Sequence, residues 1–183
     1  NATSNGSKLD FITGGVTAMT INSAQDLAVD GDTLYIDASA DRVGVNNASP
    51  STPLHVKDAS TAYVMAETTG TSTSAGFRLK GDASADYTIF TTQGVGNFGI
   101  YDNANTAQRL TLDSNGNMGL GDTPNAYNSA HRALQLGSRG ANVAGRTDSD
   151  TMYVNANAYQ HTDGNWKYDS TDEASQYYQT GGT

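Results

Sequence analysis

The chain has 183 residues, of which 36% are hydrophobic, with a mean hydropathy of −0.53 and a formal net charge of −9. The acidic balance argues against nucleic-acid phosphates and anionic membranes as partners, since both need a basic footprint. The absence of cysteine excludes disulfides and thiolate metal sites, and no stretch reads as a signal peptide or a membrane-crossing helix.

So little apolar material leaves a lone chain short of core, because ordering costs ~1–2 kcal/mol per residue. Charged residues are only 16%, too few for disorder driven by charge, so association with other chains is expected to complete the core. The acids are seventeen Asp and two Glu, Glu67 and Glu173. Asp, Asn and Gly favour turns and Glu favours helix, so with twenty Gly the chain is predicted to be all-β with many tight turns.

Residues 1–7 are small and polar and read as a linker. A repeat-bearing β stem is expected over 8–60. It starts with KLDFIT, the turn Gly14-Gly15 and TAMTI, a hairpin pattern. The phrase Met19 to Asp30 then runs parallel to a later phrase, Leu110 to Gly121, and returns from Leu34 to Val45 with one extra turn residue. Each is a short alternating strand, a polar turn and a second strand with a small residue between two apolar ones. After Val45 the chain passes Pro50 and Pro53 into Leu54-His55-Val56. After Gly121 it passes Pro124 into Ala133 to Gly137. Gly between apolar residues is costly in a strand unless something approaches closely. Crowding of three backbones at a threefold axis is the expected reason. Gly44, Pro50, Gly116, Gly119, Gly121 and Pro124 are accordingly read as structural repeat positions.

Residues 61–108 hold four strand-like pieces, AYVMAETTG, AGFRLKGD, DYTIFTTQG and NFGIYDN, at spacings of roughly ten to fourteen residues. They predict a small β-meander or sandwich insertion. The last of them, Phe98 to Tyr101, resembles Phe11-Ile12-Thr13 in leading into a repeat. A second repeat-bearing stem is expected over 109–138 and an aromatic-rich β segment over 139–183, with strands at Thr151–Val154 and Asn165–Tyr168 around a polar loop. The chain does not begin with Met and its last residues make no natural cap, so it is expected to be a segment of something longer.

RLTLDSNGNMGLGDTP and DRVGVNNASPSTPLHV resemble the GNVGIGT-SP…LHV repeat of bacteriophage tail-fibre proteins, and DFITGGVTAMTI, FGIYDNANTAQRLTL and GRTDSDTMYV resemble other segments of such fibres. The similarity touches most of residues 8–170. Ala28 stands where the repeat has Gly, and Asn46-Asn47 where it has Gly-Thr. The resemblance implies an elongated homotrimeric fibre with interleaved short strands, located in the virion as a tail fibre. Its partners would be copies of itself, other tail or baseplate proteins, and a host surface polysaccharide or outer-membrane receptor. Nothing matches the self-cleaving chaperone domain that often ends such fibres.

No catalytic, cofactor or metal residues are expected. GNMGLGD lacks the Lys and following helix of a phosphate loop. His55, His131 and His161 lack metal-ligand spacing, and the pairs Asp30/Asp32 and Asp148/Asp150 lack the further oxygens of a calcium loop. The alternatives are a tailspike-type depolymerase with paired carboxylates and a bacterial adhesin stalk. The candidate receptor contacts are Trp166, Tyr168, Tyr159, Tyr177 and Tyr178, because aromatic faces stack on sugars.

Overall fold

A computed structural model describes residues 2–5, 8–70, 73–92 and 95–181. Among them the regular elements are eighteen strands, and none is helical. The chain divides into two compact units, Asn1–Met65 and Ala66–Thr183.

The first unit is a seven-stranded sheet in chain order: β1 (Ala2–Asn5), β2 (Lys8–Thr13), β3 (Val16–Ile21), β4 (Leu27–Val29), β5 (Leu34–Asp37), β6 (Arg42–Val45) and β7 (Leu54–Val56). Each strand is antiparallel to the one before it, except that β7 lies parallel to β6. Part of the expected linker is therefore an edge strand, with Ala2 opposite Phe11 and Asn5 opposite Lys8. Residues 1, 6 and 7 lie outside the described residues.

The second unit holds β8 (Ser74–Lys80), β9 (Asp86–Thr92), β10 (Asn97–Asp102), β11 (Ala107–Leu112), β12 (Met118–Leu120), β13 (His131–Leu136), β14 (Ala141–Arg146) and β15 (Thr151–Ala156). These eight lie side by side in sequence order, and β18 (Ser175–Thr180) adds beyond β15 to complete a nine-stranded sheet. The pair β12–β13 is parallel and the rest are antiparallel. Between β15 and β18 the chain makes a small two-stranded sheet from β16 (Tyr159–Gln160) and β17 (Trp166–Lys167).

Three of the four pieces expected in 61–108 form as β8, β9 and β10, and they run on as a meander into the sheet of the second repeat. The fourth, AYVMAETTG, makes no strand, and Tyr63 is 84% exposed. The strands expected at Thr151–Val154 and Asn165–Tyr168 form near those positions but do not pair with each other, β15 joining β14 and β18 while β17 joins β16.

The repeats pair in the same way across their two strands, the middle copy with one more pair and one more turn residue. Their central cross-strand pairs are Thr20 with Ala28, Tyr35 with Gly44, and Thr111 with Gly119. The residue after each second strand, Asp30, Asn46 or Gly121, has a positive φ, and its N–H donates back to Ala18, Thr33 or Arg109 respectively. Asp and Asn tolerate this conformation best after Gly. The bulge between Phe11 and Ile12 in β2 recurs between Ile100 and Tyr101 in β10. Register thus places Phe98 opposite Leu112 as Leu9 stands opposite Ile21, two residues from the alignment with Phe11 expected from sequence.

The glycine in the second strand has an intrachain reason. At Gly44 a Cβ would run into the carbonyl of Asn47. At Gly119 it would meet the carbonyl of Asp122 and come within 3.0 Å of Pro124. In both copies the chain doubles back here to make the parallel crossover into β7 or β13. Ala28 escapes because β4 turns directly into the antiparallel β5 and no loop folds over it. The chain itself supplies the crowding that the sequence reading assigned to a threefold axis.

Candidate functional site

Cross-strand partners project to the same face of a sheet, so register sorts the side chains of the second unit. One face carries the ladder Phe98, Leu112, Met118, Leu134, Val143, Val154, each opposite the next, and beside it Leu110, Leu120 and Leu136. The other face carries Thr111, Gln135, Asn142 and Asn155. Burial is inverted relative to polarity. Leu120, Leu136, Val143 and Val154 are 39–47% exposed, whereas Thr111, Gln135, Asn142 and Asn155 are 2–5% exposed.

The buried polar face is covered by the chain's own loops, and its amides are hydrogen-bonded, whereas the Thr111 hydroxyl has no partner. Gln135 accepts from the Asn125 N–H at 2.8 Å and from the Tyr127 hydroxyl at 3.3 Å. An amide relay crosses three strands: Gln176 donates to Asn155 at 2.9 Å, Asn155 to Asn142 at 2.8 Å, and Asn142 to the Ala158 carbonyl at 2.7 Å. Asn157, at φ 55°, pins the returning loop by accepting from Ser170 N–H at 2.7 Å and donating to the Asp172 carbonyl at 2.6 Å. Tyr127, Ala133 and Ala144 form the small buried cluster below it.

In the first unit the same sorting gives two apolar ladders on one face. Leu9, Ile21, Leu27, Ile36, Val43 and Leu54 form one, and Phe11, Met19, Val29, Leu34, Val45 and Val56 the other. Every one of these side chains retains exposure, Leu54 the most at 58%.

On the loop-covered face of the second unit, β15, β17 and β18 bound two adjoining hollows. One, of about 220 Å³, is lined by Trp166, Lys167, Tyr168 and Ser175. The other, of about 400 Å³, is lined by Arg146, Thr151, Tyr153, Tyr178 and Thr180. Trp166 and Gln176 belong to both. Tyr153 meets Trp166 edge-on at 5.3 Å between ring centroids and Tyr178 at 6.2 Å. The two cations at the groove are neutralised locally, Arg146 by Asp148 at 2.5 Å and Lys167 by Asp163 at 2.8 Å. The Lys167 ammonium, aided by the Asn165 N–H, holds the Asp163 carboxyl well below its usual range.

The structure gathers Trp166, Tyr168 and Tyr178 around this groove and separates them from the other two candidates. Tyr159 packs edge-on against Tyr127 at 5.6 Å as part of the small core. Tyr177 stands opposite Val154 on the apolar face. The sequence reading missed Tyr153 and Gln176, although alternation in SQYYQT already puts Gln176 and Tyr178 on one side and Tyr177 on the other.

Beneath Tyr153, at 5.5 Å, the His131 ring is 1% exposed and neither ring nitrogen has a hydrogen-bond partner. Burial and the neighbouring Arg146 push its pKa down, against the opposing pull of Asp148. His55 accepts from the Ser51 N–H at 3.2 Å, a local turn contact. Among the described residues no three His, Asp or Glu side chains converge as a metal site.

No protein-family model matches this chain, and no curated protein matches it either.

Proposed function

We propose that the chain is a segment of a homotrimeric bacteriophage tail fibre, a virion structural element that carries attachment to the host surface. The observation that carries this reading is the inverted sheet of the second unit: its loops cover the polar face and leave the apolar face open. A large aliphatic side chain gains ~1.5–3 kcal/mol on full burial, and contiguous apolar faces of this kind mark association surfaces. A second copy of the same chain is the natural cover, because a symmetric assembly brings identical apolar ladders together. The repeats' resemblance to phage fibres supplies the class, the trimeric order and the location. The role is mechanical and non-enzymatic: stems give reach, and contacts repeated on each copy give avidity.

Sedimentation velocity and equilibrium on the isolated chain test the assembly. A mass of three chains with a sharp, single boundary is expected. A stable, compact monomer at micromolar concentration overturns the proposal.

A further inference from the structure

We infer that the groove on either side of Trp166 binds a neutral oligosaccharide. This rests on the attachment reading above and gives that attachment a place and a ligand chemistry. Four features of the groove converge on a sugar chain.

Trp166 is 43% exposed yet held by the edge contact with Tyr153, and Tyr168 and Tyr178, 70% and 60% exposed, stand in the hollows to either side. Rings held in place offer apolar area at low entropic cost, which suits the C–H faces of pyranose rings.

The polar groups between the rings are hydroxyls and an amide: Ser149, Thr151, Thr180 and Gln176. The Gln176 amide is oriented by its bond to Asn155, so it meets a ligand hydroxyl without further ordering. The relay behind it, through Asn155 to Asn142, anchors the groove floor to β14.

The charge is balanced. Arg146 and Lys167 each spend their cation on an adjacent carboxylate, leaving no free positive centre for a phosphate or a uronic acid. The two hollows, about 220 and 400 Å³ and sharing Trp166, fall together within the ~300–1,000 Å³ of small-ligand sites.

The groove also lies opposite the apolar ladder. Gln176 and Tyr178 face one way from β18, and Tyr177, opposite Val154, faces the other. Covering the apolar face with further copies therefore leaves the groove open to solvent.

Trp166 is the sole tryptophan of the chain, so its emission reports this groove alone. The full chain is titrated with maltohexaose, cellohexaose, mannohexaose and chitohexaose, and affinities are confirmed by calorimetry. At least one sugar should shift the emission saturably, and its calorimetric affinity should fall at least tenfold in both Trp166→Ala and Gln176→Ala. Should Trp166→Ala fail to fold, Gln176→Ala and Tyr168→Ala carry the comparison. The inference is overturned by no saturable change with any of the four, by undiminished affinity in the folded variants, or by preference for an anionic sugar such as polygalacturonate. Sedimentation of the same samples separates the two readings: a trimer that binds no sugar sinks the groove alone, and a monomer that binds sugar sinks the assembly alone.

Discussion

Asp113 and Asn117 clasp each other across the repeat turn, Asn117 Nδ2 donating to Asp113 Oδ2 at 3.0 Å. In the upstream copy the same clasp runs with the identities exchanged, Asn22 Nδ2 donating to Asp26 Oδ2 at 2.9 Å. In both, the first residue also caps the turn by accepting two backbone N–H groups, Asn115 and Asn117 in one copy and Ala24 and Asp26 in the other. One amide and one carboxylate close the turn in these two copies, in either order.

That symmetry predicts a charge-swap cycle. Asn117→Asp alone sets two carboxylates face to face and lowers the thermal midpoint at neutral pH. Adding Asp113→Asn, which rebuilds the upstream arrangement, restores most of the loss. Asn117→Ala strands the Ala133 N–H, now bonded at 3.0 Å, and costs ~1–3 kcal/mol. Thermal unfolding of the wild type, Asn117→Asp, Asp113→Asn and the double variant checks the cycle; a double variant no better than the sum of the two singles contradicts it.

Glycine at the crossover is the second target. Gly119→Ala and Gly44→Ala must each displace a backbone carbonyl, Asp122 or Asn47, and are expected to cost at least ~1–3 kcal/mol as overpacking. Ala28→Gly, at the position with no crossover loop, costs at most ~1 kcal/mol as a glycine in a strand. Denaturation of the three variants ranks them.

The apolar face predicts an oligomer switch. Leu120 and Leu136 are neighbours in the parallel pair, each at least 40% exposed, so Leu120→Lys with Leu136→Lys sets like charges side by side where copies should meet. The double variant is expected to sediment as a monomer with its strand circular-dichroism signal reduced, while Ser149→Lys on the other face leaves the mass unchanged. Equal behaviour of the two shows that this face is not the interface.

Two buried groups contribute at opposite ends of the acid response. His131 is buried neutral beside Arg146, Asp148 and Tyr153, with a folded pKa below the ordinary 6.5. The unfolded chain therefore takes the proton first; the stability from this site is complete above pH 6.5 and is lost as pH falls below it. His131→Leu flattens the thermal midpoint between pH 7 and 5.5. Asp102, fully buried, is held down to about 2 by hydrogen bonds from Asn105 and Arg109. Its contribution is present above pH 3.8 and is lost as pH falls through about 2, so Asp102→Asn removes that part of the acid transition. Midpoints recorded from pH 7.5 to 2 separate the two.

Local structure in this chain follows from residues that are close together in sequence. Strands, turns and the threefold recurrence of one hairpin follow from alternation and from Asp, Asn and Gly chemistry acting over a few residues. Leu54-His55-Val56 and the turns at Gly116 and Gly121 were legible for that reason. AYVMAETTG was not, because alternation marks a strand only where a partner strand exists to accept its hydrogen bonds. Which face of each sheet is covered depends on contacts between distant parts of the chain. Thr111, Gln135 and Asn142 carry every mark of a solvent face, and they are buried because later loops return over them. The same return explains Gly119, whose crowding neighbour lies in the crossover. Period-two alternation defines two faces equally well, and the choice between them is made by chain that comes later.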